Sequence, residues 1–212
     1  MKIGIIADVH GNIRALKDVL AKLDEAGVER VICAGDLVDR GIHGESVIAL
    51  IRERRIATVR GNHDNSPLEP QHLSESTMVW LSKLPKSRRY MWHGLTLCMA
   101  HGTPYDFWRG VYPNSDHRIH LDAIEEASTD ILVVGHTHQP MVTNIHDGKH
   151  WIFNPGAVHD DGRGAAFAVL HLPQDDGDLF DFHVYEVGTW EQISPAYVEI
   201  PLPDDQREDN TP

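Results

Sequence analysis

Gly35-Asp36-Leu37-Val38-Asp39-Arg40-Gly41 follows directly on the apolar run Val31-Ile32-Cys33-Ala34, which reads as a buried strand. A carboxylate delivered at the end of a buried strand is costly unless positive charge meets it. Two further deliveries flank this one. Asp8-Val9-His10 follows the run from Ile3 to Ala7, and Gly61-Asn62-His63-Asp64 follows Ile56-Ala57-Thr58-Val59. Oxygen and imidazole groups arriving repeatedly at strand ends point to a metal site at the carboxyl edge of a sheet.

Outward from that stretch the chain alternates strand and helix. Residues 2–7 read as a strand apolar on both faces. Asn12 is placed to cap a helix carrying Ile13, Leu16, Val19, Leu20 and Leu23 at helical spacing, which ends near Gly27. A strand at 30–34, a helix near 44–54 and a strand at 56–60 complete a β-α-β-α-β series, the signature of a mainly parallel sheet. The basic end of the second helix (Arg52, Arg54, Arg55) suits the helix dipole and reads as a solvated terminus.

The second half reads as more antiparallel. A part-helical segment at 66–84 precedes strands at 89–93 and 95–100, and the latter delivers His101. A loop at 102–115 holds Tyr105, Phe107, Trp108, Arg109 and Tyr112, and a helix near 116–128 follows it. The run from Ile131 to Val134 delivers Gly135-His136-Thr137-His138. Strands near 142–145, 150–153, 164–171 and 179–187 come next. Residues 1–200 are expected to form one domain, and the acidic, proline-bearing residues 201–212 a disordered tail.

The 212 residues carry a formal charge of −13, from 19 basic and 32 acidic side chains. That balance disfavours an extended nucleic-acid groove. A small phosphorylated substrate remains compatible, because metal charge dominates its own site. No apolar run approaches the roughly 18 residues of a membrane span. Lys2 alone precedes a run that soon reaches Asp8, so no secretory signal is expected. Cys33 and Cys98 both fall in predicted strands and read as buried, reduced thiols of a cytoplasmic protein.

In an extended segment, residues two apart point to one side, so Asp8 and His10 are expected to reach one ion together, and His136 and His138 likewise. Two ions about 3.5–4 Å apart need a shared carboxylate and ligands from several strand ends. Asp36 is the natural bridge. Imidazole, carboxylate and amide without thiolate suit manganese foremost, or iron, zinc, cobalt or nickel. Each piece alone has a plainer reading: Asp-x-His as a cap, Gly-Asn-His-Asp as a turn, Gly-His-Thr-His as a loop with exposed imidazoles. Their joint appearance after separate apolar runs has none.

The set resembles the calcineurin-like metallophosphoesterases. Their pattern is Asp-x-His, Gly-Asp-x-x-Asp-Arg, Gly-Asn-His-Asp/Glu, a separate His, and Gly-His-x-His. This chain has each part in order, at 8–10, 35–40, 61–64, 101 and 135–138, and Asn154-Pro155-Gly156 resembles an accessory motif of the small bacterial and archaeal branch. The resemblance implies an α/β fold, a four-layer α/β/β/α sandwich of two mixed sheets flanked by helices. It implies that Asp8, His10, Asp36 and His138 hold one divalent or trivalent ion, and that Asp36, Asn62, His101 and His136 hold the other. His63 would be the general acid, oriented by Asp39, with Arg40 and Asn62 on the phosphate.

The implied activity is hydrolysis of phosphoester or phosphoanhydride bonds by a hydroxide held between the ions, as a phosphodiesterase or phosphatase on small substrates. Alternatives are a non-enzymatic scaffold of this fold, a protein Ser/Thr phosphatase, or a dinucleotide polyphosphate hydrolase. The scaffold is disfavoured because no ligand or acid position is degraded. A structural zinc site is disfavoured because such sites take ligands dominated by Cys and His. The 102–115 loop is expected either to cover the end of the sandwich or to bring Trp108 as a stacking wall and Arg109 to a second phosphate. The latter would admit a nucleotide as substrate. Oligomeric state is left open.

Overall fold

The computed structural model describes residues 1–68, 72–172 and 180–202. Strand β1 (Lys2–Ile6) leads through helix α1 (Ile13–Glu25) to β2 (Arg30–Cys33), and α2 (Gly44–Glu53) leads on to the short β3 (Ala57–Thr58). These three strands pair in parallel. The Asn12 side chain caps α1 by accepting the Ala15 N–H at 3.1 Å. Leu16, Val19, Leu20 and Leu23 form its buried face. After the one-turn α3 (Asn62–Asn65) and α4 (Glu75–Ser82), the hairpin β4 (Ser87–Trp92) and β5 (Leu95–Ala100) opens the second sheet.

Helix α5 (His117–Ala127), β6 (Ile131–Val133), β7 (Met141–Ile145) and β8 (His150–Asn154) follow, then β9 (Ala166–His171), β10 (Asp181–Glu186), β11 (Gln192–Ile193) and β12 (Ala196–Ile200). The chain returns to the first sheet at β9, so the two six-stranded sheets run β11-β10-β9-β1-β2-β3 and β12-β7-β8-β6-β5-β4. Both are mixed: β9 joins β1 antiparallel, and β12 joins β7 in parallel.

Three apolar clusters fill the spaces between four layers. One lies under α1 and α2, with Leu16, Leu20, Val47, Ile48 and Ile51 against Ile6 and Cys33. The second lies between the sheets, with Ile3, Ile5, Ile32, Leu97, Val133 and Phe153. The third lies under α5, around Ala123, Ile124, Leu132 and Ile152. The expected α/β/β/α sandwich is therefore present. Each fully buried aliphatic side chain contributes roughly 1.5–3 kcal/mol, so all three clusters hold the strands in place. Cys33 and Cys98 are buried free thiols. Among the described residues no helix is long and apolar enough to cross a membrane.

Two expectations change in detail. The strand expected at 56–60 is only Ala57–Thr58, because the backbone turns at Arg60, whose N–H bonds to Pro85 O at 2.8 Å. Residues 192–200 add two strands that the sequence reading passes over. Of the expected disordered tail, residues 203–212 lie outside the described residues.

Candidate metal centre

The parallel strands β1, β2, β5 and β6 release their chains at one end of the sandwich, and the polar side chains expected to meet do so there. The ligand atoms of Asp8, His10 and His138 lie within 4.8 Å of one another, as do those of Asp8, Asp36 and His101. Asp36 Oδ2 lies 3.7 Å from His10 Nε2 and 3.3 Å from His101 Nε2, between the two halves of the cluster. Asn62 Oδ1 lies 3.0 Å from His101 Nε2 and 2.8 Å from His136 Nδ1. Asp8, His10, Asp36, Asn62, His101 and His138 are buried, and His136 is half-buried.

The convergence does not come from strand alternation. Among the described residues, seven of the thirteen non-glycine positions with left-handed φ belong to this site: Asp8, His10, Asp36, Asp39, Arg40, His136 and His138. In Asp8-Val9-His10 and in His136-Thr137-His138 both outer residues are left-handed, and the kinked backbone sends His138 to Asp8 and His10 but His136 to Asn62 and His101. Such conformations cost about 1–3 kcal/mol each and persist only where the surroundings enforce them.

The enforcement is visible. His10 N–H bonds Asp36 O at 3.0 Å and His136 N–H bonds Asp8 Oδ2 at 3.0 Å. Asp64 is buried and accepts the N–H groups of Asp36, Leu37 and Gly61 at 2.9, 2.8 and 3.0 Å. Burial, and then the neighbouring Asp36 charge, pushes its carboxyl up to about 6 despite those bonds. A Cβ at Gly61 would overlap the Asp36 carboxylate. Asn154, fully buried, donates to Gly135 O at 2.8 Å and Thr137 Oγ1 at 3.0 Å, which pins the loop that carries both histidines.

The donor set fits cations. The Nδ1 atoms of His10, His101 and His138 face Val38 O, Ala34 O and Asp161 Oδ2 at 3.1, 2.7 and 3.0 Å. An oxygen without a proton at that position takes the ring's Nδ1–H, so each neutral ring turns a bare Nε2 inward. His10 Nε2 and His138 Nε2 stand 3.2 Å apart, two lone pairs face to face. Beside them Asp8 Oδ1 is buried with no hydrogen-bond partner among the described residues.

The electrostatics of the side chains alone tell the same story. Burial pulls the His10 imidazole down to about 4, against the raising influence of Asp8 and Asp36. For His101 burial also pulls downward, but the adjoining Asp36 carboxylate wins and lifts it to about 10. Asp36 in turn is held well below the carboxylate range: burial opposes this, and His101 and His10 outweigh burial. Asp36 therefore favours positive charge at the position between the two halves of the cluster.

Beside the cluster a cleft of about 290 Å³ is lined by Arg40, Asn62, His63, Tyr112, Gln139 and Arg163, among others. Hollows of about 380 Å³ beside α1 and 570 Å³ beside α5 are larger, but neither holds the carboxylate–imidazole set. His63 gives its Nδ1–H to Asp39 Oδ2 at 2.9 Å, and both Asp39 oxygens accept the Leu68 N–H at 3.0 Å.

Trp108 and Arg109 do not line this cleft. The Arg109 guanidinium is taken by two carboxylates of α5, Asp122 at 3.2 Å and Glu126 at 3.6 Å, and Trp108 is 59% exposed. The loop instead presents Tyr112. Gly110 lies between that ring and the centre, where a Cβ would come within 2.7 Å of Tyr112 and 2.9 Å of His136. Sequence reasoning also passes over Asp161, which lines the cleft and bonds His138. Its signal is slight, an acid in the turn-like run His159-Asp160-Asp161-Gly162-Arg163.

The family model of the calcineurin-like phosphoesterase superfamily domain matches residues 1–175. The protein MJ0912 of Methanocaldococcus jannaschii is 25% identical over 93% of this chain and 91% of its own. Phosphodiesterase YfcE of Escherichia coli is 26% identical over 80% of this chain and 87% of its own. The crystal structure of a metallophosphoesterase from Sphaerobacter thermophilus matches with a TM-score of 0.68 and 26% identity over 88% of each chain. The family's motifs, its fold and its cluster of inward-facing acceptors coincide here, so this chain belongs to the calcineurin-like phosphoesterase superfamily and is a metal-dependent phosphoric ester hydrolase.

Proposed function

We propose that the protein holds two metal ions and hydrolyses small phosphorylated substrates as a phosphodiesterase or phosphatase. Asp8, His10, Asp36 and His138 hold one ion, and Asp36, Asn62, His101 and His136 the other, with manganese favoured. The observation that carries the reading is the cluster of inward lone pairs, including the unpartnered Asp8 Oδ1, beside an imidazole clamped on a carboxylate. Two ions bound there supply water ionised near neutral pH and Lewis acidity toward phosphoryl oxygens.

The rest of the chemistry falls to the chain. His63 has Nδ1 fixed on Asp39, so its Nε2 is the edge left for the cleft. As imidazolium it protonates the departing oxygen, and a placed acid contributes about 10²–10⁴-fold. Arg40 binds the phosphoryl oxygens through its planar guanidinium. Asn62 turns Oδ1 to the cluster, which leaves its amide N–H groups for the same oxygens. Asp39 keeps its place through the Leu68 N–H, so acid and carboxylate move as one unit. The two buried free thiols fit a reducing cytoplasm.

A screen of p-nitrophenyl phosphate, bis-p-nitrophenyl phosphate and dinucleotide polyphosphates with manganese, zinc, cobalt and nickel is the direct test. Turnover of at least one substrate, abolished by chelation, is the expected result. Absence of turnover with every metal overturns the reading.

Tyr112 takes over the stacking role expected of Trp108. Base–aromatic stacking is worth about 1–3 kcal/mol, so Tyr112→Ala is expected to raise KM for a nucleotide substrate about 5- to 150-fold. Inhibition by inorganic phosphate, which offers no ring, is expected to be unchanged. Equal effects on both would place Tyr112 in the support of His136 instead.

A further inference from the structure

We propose that Asp161 is a positioning residue that joins the metal centre to the phosphate-binding side of the cleft: it fixes the His138 ring for coordination and keeps Arg40 and Arg163 at the cleft mouth. The inference rests on the two-ion reading above.

A single oxygen serves all three groups. Asp161 Oδ2 accepts His138 Nδ1–H at 3.0 Å and stands 3.9 Å from both Arg40 and Arg163. His10 and His101 lean on neutral backbone carbonyls at the corresponding ring nitrogen, whereas His138 leans on a carboxylate. An anion in that place settles the tautomer, holds the ring plane and raises the basicity of the opposite nitrogen. That opposite nitrogen is Nε2, which lies 3.3 Å from Asp8 Oδ1.

The two arginine contacts are of another kind. At 3.9 Å and half exposed to water, they are weak ion pairs. An arriving phosphate offers the guanidinium groups stronger, two-pronged partners. Arg163 also donates to Thr137 O at 3.2 Å, so it is tied to the same loop as His138. The geometry therefore lets Arg40 and Arg163 exchange Asp161 for substrate, while the shorter bond to His138 remains. Asp161 and Arg163 both come from the loop after β8, which also seats His159 N–H on Asp8 O at 3.0 Å.

Two variants separate the roles. Asp161→Asn keeps an acceptor for His138 but removes the charge that attracts the arginines, whereas Asp161→Ala removes both. Asp161 is on a surface loop, so circular dichroism is expected to be unchanged in each. In a chelator-competition titration with manganese, Asp161→Ala is expected to lose about 10–100-fold in affinity at one of two sites, and Asp161→Asn much less. Inorganic phosphate is expected to inhibit Asp161→Asn more strongly than wild type, because no carboxylate competes for Arg40 and Arg163. Unchanged manganese affinity at both sites of Asp161→Ala overturns the inference while leaving the two-ion reading intact. A wild-type protein that takes up no manganese overturns both.

Discussion

Asp36→Asn is expected to strip both metal ions from the protein and remove nearly all turnover. The carboxylate sits between the halves of the cluster, with Oδ2 3.3 Å from His101 Nε2 and 3.7 Å from His10 Nε2. The amide has nearly the same shape but brings N–H donors into a set made of acceptors. Such a donor satisfies the His101 lone pair directly, so the attraction for a cation falls at both sites. Ions that stabilise the transition state by several kcal/mol are then missing, which corresponds to a loss of about 10³-fold or more. The fold is expected to survive, because Oδ1 still accepts the His63 backbone N–H. Metal analysis and activity are the readouts. Full metal content with full turnover would refute the bridging assignment.

His63→Ala is expected to keep both ions and lose turnover in a way that depends on the leaving group. The contact of His63 with Asp36 is made by its backbone, so truncating the ring leaves it in place. Asp39 loses one partner but keeps the Leu68 N–H. An alkyl alcohol needs a proton as it departs, and the loss there is expected to reach about 10²–10⁴-fold. A p-nitrophenolate leaves nearly unaided, so its loss is expected to be about tenfold or less. Equal losses on the two substrates would assign His63 a positioning role. Loss of metal would make it a ligand, since its ring lies within 4.8 Å of ligand atoms of His10 and Asp36.

The strand-end pattern made the fold class legible. Apolar runs that each deliver a carboxylate or imidazole have few uses other than a rim of ligands, and the β-α-β-α-β series orients those rims alike. The means of convergence was not legible. Alternation along a strand puts Asp8 and His10 on one side, yet the backbone reaches that outcome through left-handed kinks, which no periodicity rule describes. Arg109 and Trp108 look suitable by proximity in sequence, but two acids a helix away decide where Arg109 goes. Asp161 is 23 residues from the histidine it holds and sits in a segment that reads only as a turn. The β12 strand did leave a trace, since Val198 and Ile200 are buried and the intervening Glu199 is exposed. Five residues of alternation are a short signal without the partner strand that completes them.

The wide separation in sequence of the groups around the centre has a consequence for the order in which the molecule matures. Asp8 meets His138 and His136 across about 130 positions, and Asp161 lies further on still. A nascent chain that has emerged only through His101, just past β5, carries Asp8, His10, Asp36, Asn62 and His101, yet lacks both imidazoles of the last motif and the carboxylate behind one of them. Contacts of such range form late, after the loop-closure cost has been met. On the proposed ligand assignment, tight metal uptake is therefore expected only once the second sheet has docked on the first. Once made, it acts as a latch: an ion that binds only the completed fold adds RT ln(1 + [L]/Kd) to stability, about 2.7 kcal/mol at a hundredfold excess over Kd. On that assignment, loading the ions is expected to raise thermal stability as well as turnover.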